Sequence, residues 1–316
     1  MLRALGLGDF LTGIPALRAL ARAFPDHRRV LAAPALLGPL ARLSGTVDGV
    51  ADTAPLVPLD PELSGADVAV NLHGRGPHSH RVLLASGPRR LVAFAHPHVP
   101  ESAGGPEWAA PEHEVRRWCR LLEASDIPAD PSDLGLVVPT EPAPPGAARA
   151  TVVHPGAAFA SRRWPIERWA EVVRHETGRG REVVVTGGND ETALAEAVAA
   201  AAGLAPEAML AGRTDLLGLA AVVAAAGRVV CGDTGVAHLA TALGTPSVVL
   251  FGPVTPSEWG PPADRAQHVA LWAGTRGDPN GAVTDPGLLC ITVGQVTAAL
   301  DGLPQASPRA STMRST

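Results

Sequence analysis

Four short runs rich in β-branched residues alternate with helical stretches in the second half of the sequence. This alternation constrains the fold most, because parallel strands must be joined by crossovers long enough to hold a helix. The runs are almost continuously apolar, which predicts a sheet covered on both faces. They occupy 150–154, 182–186, 228–231 and 246–251. The pattern predicts a Rossmann-like α/β domain from residue 150 onward.

The predicted helices between these strands have recognisable ends. Proline is favoured at the start of a helix, acidic residues in its first turn, and glycine just after its last turn. The starts and ends are marked by Pro165 and Gly178, by Asp190 and Gly203, and by Asp215 and Gly227.

The first half repeats the alternation less regularly. Strands are predicted at 29–33, 68–71 and 91–94, and amphipathic helices at 15–24 and 112–124. Residues 1–5 run directly into a glycine-rich turn, which leaves hardly any room for a first strand. We therefore expect the true start codon to lie upstream.

A proline-rich stretch at 141–149 is typical of a linker. We expect an N-terminal, acceptor-binding Rossmann-like domain over 1–140 and a C-terminal, nucleotide-sugar-binding one over 150–303. The two would face each other across a cleft, and the polar residues 304–316 would form a disordered tail.

Composition excludes several classes of protein. The chain is 46% hydrophobic and 18% charged with a net charge of −5, which fits a globular protein without a broad nucleic-acid-binding surface. All 26 basic residues are arginine and tyrosine is absent, so a Walker A loop, a pyridoxal phosphate enzyme and a tyrosine–lysine dehydrogenase are excluded. Three widely spaced cysteines and the lack of a membrane-length apolar run predict a cytoplasmic protein.

The strongest local signal is the segment 231–238, in which a strand ends and a helix begins at once. Free backbone N–H groups and the helix dipole would make an anion site at Thr234 and Gly235. His238 lies one turn into this helix and could face the same cleft. A purely structural interpretation stays open, with Asp233 as a helix cap and His238 in the core.

Two arginines, Arg162 and Arg163, stand between a glycine turn and a helix start. Guanidinium groups can hold a phosphate bidentately and stabilise a departing diphosphate. The alternative is a solvated arginine pair. A further rigid loop at 251–253 follows a strand, at the sheet edge where open α/β folds bind ligands.

Asp9 follows Gly6 and Gly8, but the spacing is not that of a dinucleotide fingerprint, because residue 11 is leucine. Asp9 could act as a general base toward a hydroxyl in the cleft, or it could cap a helix. Pro15 places the predicted helix start later, nearer Thr12.

Five histidines, at 73, 78, 80, 96 and 98, lie in predicted glycine- and proline-rich loops. No carboxylate or cysteine stands at metal-ligand spacing beside them, and the sequence has no D-x-D pair. We therefore predict no metal site and no cofactor.

In this order, the segments resemble glycosyltransferase family 9, the ADP-heptose:lipopolysaccharide heptosyltransferase family. The resemblance covers nearly the whole chain and is carried by 5–9, 15–20, 154–156, 163–165, 185–188, 233–238 and 251–253. It implies a GT-B fold and an inverting, metal-independent transfer of heptose or a related sugar from a nucleoside-diphosphate donor. The acceptor would be a glycan or glycolipid such as lipopolysaccharide, reached at the inner face of the membrane.

The resemblance also implies roles for single residues. Asp9 matches the catalytic base, and Arg162 stands where members often have a lysine on the donor phosphates. The implied donor-binding residues are Arg163, Gly187, Gly188, Thr214, Asp233, Thr234, Gly235 and His238. Two other functions stay open: a nucleotide-sugar epimerase of similar shape, and a non-catalytic sugar-nucleotide-binding protein.

Overall fold

The computed structural model describes residues 1–304. The strands are β1 (Val30–Ala33), β2 (Gly49–Asp52), β3 (Val68–Val70), β4 (Arg90–Val92), β5 (Thr151–His154), β6 (Val183–Val185), β7 (Arg228–Gly232), β8 (Ser247–Phe251) and β9 (His268–Trp272). The α-helices are α1 (Leu7–Thr12), α2 (Ile14–Ala23), α3 (Gly38–Leu43), α4 (His78–Ala85), α5 (Glu114–Glu123), α6 (Ile166–Gly178), α7 (Thr192–Ala202), α8 (Leu216–Ala225), α9 (Gly235–Leu243), α10 (Pro256–Trp259), α11 (Pro286–Cys290) and α12 (Val293–Gly302).

The second half contains one parallel sheet in the order β6-β5-β7-β8-β9. Alternate residues of each central strand belong to different hydrophobic clusters: Val152 and Val229 to one, Val153 and Val230 to the other. The sheet is therefore covered on both faces, as the continuous apolar runs predict. The strand order reverses between β5 and β7, and ligands bind at such a point in open α/β sheets.

The first half has two parallel strand pairs, β1-β2 and β3-β4, which Leu2 joins into one layer. Leu2 forms parallel bridges with Ala32 and with Asn71. The Leu2 N–H donates to the Val70 carbonyl (2.9 Å) and the Arg3 N–H to the Ala32 carbonyl (3.0 Å). The first three residues thus fill the central strand position, although the sequence leaves hardly any room for a strand there.

Both halves share one hydrophobic cluster, which contains Phe10 and Leu11 of α1 together with Val236 and Leu239 of α9. The chain between the end of α5 and the start of β5 contains no helix or strand, so the connection is longer than the predicted linker at 141–149. Part of it lies on the second half, because the Leu136 N–H donates to the Ala242 carbonyl (2.8 Å).

Most strands and helices of the second half agree with the sequence prediction within a few residues, but the first half differs from it. The strand β2 and the helices α3 and α4 were not predicted. His78 and His80 lie in α4 rather than in a loop. Of the predicted tail at 304–316, residues 305–316 lie outside the described part of the chain.

The helix predicted to start near Thr12 is preceded by another, α1, so Asp9 lies in a first helical turn. Gly13 joins α1 to α2, and a Cβ there would lie 3.1 Å from Cδ of the buried Arg3. The glycine thus leaves space for the arginine beneath the junction, a tertiary contact that local sequence does not reveal.

Candidate active site

A cavity of about 630 Å³ lies between the two halves, at the carboxyl ends of both sheets. Its walls come from five segments: the start of α1, the loop after β5, the start of α9, the loop after β8 and the loop after β9. The lining residues are Gly6, Leu7, Gly8, Asp9, Ala158, Phe159, Arg162, Asp233, Thr234, Gly235, His238, Val254, Glu258, Trp259, Pro279 and Asn280.

Asp9 is the carboxylate that the first half contributes to this cavity. Its side chain is 28% exposed. Burial raises the pKa of the Asp9 carboxyl, and the neighbouring Arg3 guanidinium offsets part of that rise. A carboxylate with a raised pKa is a better proton acceptor than an ordinary surface aspartate.

The N-terminus of α9 faces Asp9 from the second half. Thr234 is the N-cap residue, so the interpretation of Asp233 as the cap is wrong, and no side chain caps this end. The first N–H groups of a helix have no partner within the helix. Among the described residues, the buried Thr234 Oγ1 also has no hydrogen-bond partner. The free backbone N–H groups form an anion-binding end, and Thr234 and Gly235 line the cavity there.

Arg162 supplies a positive charge beside this helix end. Its Nη1 lies 3.9 Å from Asp233 Oδ2, and its Nε donates to the Pro279 carbonyl (3.3 Å). Burial raises the pKa of Asp233 to about 6, although the Arg162 charge acts in the opposite direction. Arg163 does not line the cavity, and its Nε donates to the Ala157 carbonyl instead (2.9 Å).

His238 lies on α9 and lines the cavity. Its ring centroid is 5.9 Å from that of Trp259, with the planes at 62°. Burial lowers the pKa of His238 to about 4, so the imidazole is neutral near pH 7. His238 can therefore donate or accept a hydrogen bond in the cavity without adding charge.

Gly187, Gly188 and Thr214 do not line this cavity. The two glycines follow β6, and the Gly188 N–H donates to Glu191 Oε2 (2.8 Å). Glu191 also lies 3.6 Å from His154 Nε2, and a Cβ on Gly156 would be 2.2 Å from its carboxylate. His154, Gly156, Gly188 and Glu191 thus form a second polar group, at the ends of the neighbouring strands β5 and β6.

Sequence reasoning missed several polar or aromatic residues in or behind the cavity, among them Phe159 and Asn280 in its lining. Glu258 and Trp259 line the cavity from α10, and Arg3 and Glu114 form an ion pair behind Asp9 (3.1 Å). An arginine in a three-residue strand and a glutamate near a helix start show no sequence signal of burial.

The five histidines of the predicted loops do not form a group of metal ligands with one another. Among residues 1–304, His175, Glu176 and Asp301 come close enough to hold an ion. Arg181 pairs with both carboxylates of this group, with Nη1 2.7 Å from Glu176 Oε1 and 3.4 Å from Asp301 Oδ1. Within those residues, no helix is long and apolar enough to cross a membrane.

Two Rossmann-like halves facing each other across a cavity, with an anion-binding helix end on one side and a carboxylate on the other, define a glycosyltransferase of the GT-B class. A sequence profile described as glycosyltransferase family 9 (heptosyltransferase) matches residues 107–279, more than half of the chain. The chain therefore belongs to glycosyltransferase family 9. The matched range includes Arg162 and the start of α9 but not Asp9, which the structure brings to the same cavity.

Solved structures of this family share the fold. The glycosyltransferase family 9 protein of Veillonella parvula DSM 2008 has a TM-score of 0.75 at 19% identity, over 95% of this chain and 94% of that one. ADP-heptose lps heptosyltransferase II of E. coli has a TM-score of 0.72 at 20% identity, over 95% of this chain and 96% of that one. E. coli heptosyltransferase WaaC with ADP has a TM-score of 0.67 at 19% identity, over 95% of this chain and 98% of that one. A comparison with curated proteins found no match.

Proposed function

We propose that this glycosyltransferase moves a heptose or related sugar from a nucleoside-diphosphate donor to a glycan hydroxyl, with inversion and without a metal ion. The observation that carries the proposal is the cavity between the halves. Its lining includes the Asp9 carboxylate, Arg162 and the uncapped start of α9. A base and a leaving-group site in one cavity are what a single displacement requires.

The diphosphate would lie at the start of α9. Thr234 and Gly235 line the cavity at this point, and Arg162 supplies the full positive charge. Helix N-termini and guanidinium groups both stabilise phosphate oxygens, so charge that develops on the departing diphosphate is offset by the protein itself. Gly187, Gly188 and Thr214 stay proposed donor-binding residues for the nucleoside, whereas Arg163 does not line the cavity and is expected to contribute little to donor binding.

The acceptor would enter from the first half, where Asp9 takes the proton of its hydroxyl as the oxygen attacks the anomeric carbon. His238 is neutral and could orient a sugar hydroxyl beside it. The solved relatives named for ADP-heptose and for ADP suggest ADP-heptose as the first donor to test. An envelope glycan or a lipopolysaccharide-type glycolipid, met at the inner face of the membrane, is the proposed acceptor class, and the cytoplasm the proposed site of action.

The test begins with donor binding. Calorimetry with ADP-, GDP-, UDP- and dTDP-sugars should identify a donor that binds both the wild-type chain and Asp9→Asn. Transfer to envelope glycan fragments should then proceed with the wild type in excess EDTA and give a product of inverted anomeric configuration by NMR. Asp9→Asn should bind normally and lose transfer by at least about 10²-fold. Conversion of the donor without an acceptor, or normal transfer by Asp9→Asn, would contradict the proposal.

A further inference from the structure

A chain of buried ionic groups runs from Asp9 into the core of the first half. The Arg3 side chain is fully buried, and its Nη2 lies 3.7 Å from Asp9 Oδ1 and 3.1 Å from Glu114 Oε1. Its guanidinium carbon is 4.9 Å from the centroid of the Trp118 ring. One arginine therefore bridges the cavity carboxylate, which is partly exposed, and a second carboxylate that is almost completely buried.

Arg3 is fixed in this position by hydrogen bonds on every side. Its Nε donates to the Asp9 backbone carbonyl, its Nη1 to the Leu72 carbonyl, and its Nη2 to Thr12 Oγ1 (3.1 Å). A planar guanidinium held through several donors has little freedom to rotate. Arg3 thus couples the position of α1, which carries Asp9, to Leu72 in the segment that follows β3.

Glu114 holds the other side of Arg3. Its carboxylate also accepts hydrogen bonds from Trp118 Nε1 (2.8 Å) and from Arg117. Burial acts to raise the pKa of Glu114, but the charges of Arg3 and Arg117 outweigh it and leave the pKa below its ordinary value. Glu114 is therefore ionised near pH 7, and its negative charge offsets the positive charge that Arg3 presents to Asp9.

We propose that Glu114 is a positioning residue, which acts through Arg3 to orient the Asp9 carboxylate and to keep it basic. This inference rests on the proposed function only in treating Asp9 as the base. Without the Glu114 charge, Arg3 would stabilise the Asp9 anion more strongly and make it a weaker proton acceptor.

Other charged and titratable groups lie near Arg3 and Glu114 or line the cavity with Asp9. They are His73 after β3, His113 and Arg117 around α5, His238 on α9, and Arg162, Asp233 and Glu258 in the cavity wall. His113 accepts a hydrogen bond from the Val115 N–H at Nδ1, and its Nε2–H donates to the Gly260 carbonyl (2.9 Å), so its neutral form satisfies both contacts. None of the Arg3 and Glu114 variants described below removes any of these groups. A change in the pKa of Asp9 can therefore be assigned to Arg3 and Glu114.

The test titrates Asp9 directly in the full chain. Carbon-13 at the aspartate side-chain carboxyls is followed by NMR from pH 3 to 9, and the Asp9 signal is assigned by its absence in Asp9→Asn. Glu114→Gln should lower the pKa of Asp9 by roughly 1, and Arg3→Gln should raise it by a similar amount. Glu114→Asp keeps the charge and should leave the pKa closer to that of the wild type than Glu114→Gln does.

The pKa of Asp9 should move in opposite directions in Glu114→Gln and Arg3→Gln. If circular dichroism shows that one of these variants does not fold, the direction of the shift in the other still tests the inference. A pKa that stays in place, or that moves in the same direction in Glu114→Gln and Arg3→Gln, overturns the inference. The titration needs no substrate, so it can fail while Asp9 is still the base. If Asp9→Asn retains transfer, the proposed function fails whatever the titration shows.

Discussion

Gly235 and Leu7 meet where the start of α9 touches the start of α1, across the junction of the two halves. A Cβ on Gly235 would lie 2.8 Å from the Leu7 Cβ, closer than side-chain carbons approach. On the same contact, a Cβ on Gly8 would lie 3.0 Å from His238 Cδ2. Two glycines thus allow the base-bearing helix and the anion-binding helix to come together at the cavity wall.

Gly235→Ala should therefore separate α1 from α9 and reduce transfer by about 10-fold to 100-fold, because small misplacements of reacting groups are costly. The lining backbone should shift, while the global fold persists. Steady-state kinetics with the donor from the calorimetric screen would measure the effect. Gly178→Ala, at the end of α6 with no atom within 4 Å of the added Cβ, is the matched control and should retain full activity. Equal activity of the two variants would show that the close contact is unimportant.

The two adjacent arginines should differ in their effects. Arg162 lines the cavity, whereas Arg163 is directed toward the Ala157 carbonyl. A hydrogen bond to a charged group contributes about 1.5–3 kcal/mol, so Arg162→Ala should weaken binding of ADP or the preferred nucleoside diphosphate by roughly 10-fold to 150-fold. Arg163→Ala should weaken it by less than about 3-fold. Calorimetry measures the affinity of both variants for the nucleoside diphosphate. A larger loss of affinity in Arg163→Ala than in Arg162→Ala would assign the diphosphate to Arg163 instead.

The second half was predictable because its local signals agree with its tertiary structure. Continuous apolar strands, glycine helix ends such as Gly203, and the Asp215 cap all predict the elements that form. The first half was less predictable because several strands are only three or four residues long and gain their definition from neighbours. Leu2 is the extreme case: one residue bridges two strands, and no local pattern reveals that role.

The candidate site divides in the same way. The start of α9 and Arg162 follow directly from strand–turn–helix patterns, and the structure brings them to one cavity with Asp9. Arg3 and Glu114 are separated by 111 residues, and only tertiary packing makes them partners. Asp233 shows that the exact cap residue could not be predicted from the sequence. Its position after a strand is typical of a helix cap, but the N-cap of α9 is the next residue, Thr234.

His80 should be a structural residue rather than a metal ligand. It is fully buried, its Nε2 lies 2.7 Å from the Phe94 carbonyl, and its Nδ1 lies 2.9 Å from Asn71 Nδ2. His80→Ala removes both bonds and leaves buried partners unsatisfied, so the free energy of unfolding should fall by about 2–4 kcal/mol. His78→Ala, at an exposed position of the same helix, should change it by less than about 0.5 kcal/mol.

Urea unfolding of both variants, with and without added zinc, measures this difference. Zinc should not stabilise the wild type specifically, because the His80 ring nitrogens are already engaged with protein atoms. A zinc-dependent stabilisation that disappears in His80→Ala would instead assign the residue to a metal site.

Asp233 should make stability depend on pH. The folded chain raises the pKa of this carboxyl to about 6, so between pH 4 and 6 the folded state binds a proton that the unfolded chain has released. The stabilising contribution is therefore complete below about pH 4 and is lost as the pH rises through 6. Asp233→Asn is neutral at every pH and should raise the free energy of unfolding at pH 7.5 by up to about 3 kcal/mol.

Urea unfolding of wild type and Asp233→Asn from pH 4 to 8 measures this dependence, and the gain should shrink toward zero at the acidic end. Asp301→Asn is a control of opposite sign. Burial acts to raise the pKa of Asp301, but the charges of Arg179 and His175 outweigh it and lower the pKa, so its neutralisation should destabilise the protein at pH 7.5. A gain for Asp233→Asn that did not vary with pH would mean that the substitution improves packing rather than removing a buried charge.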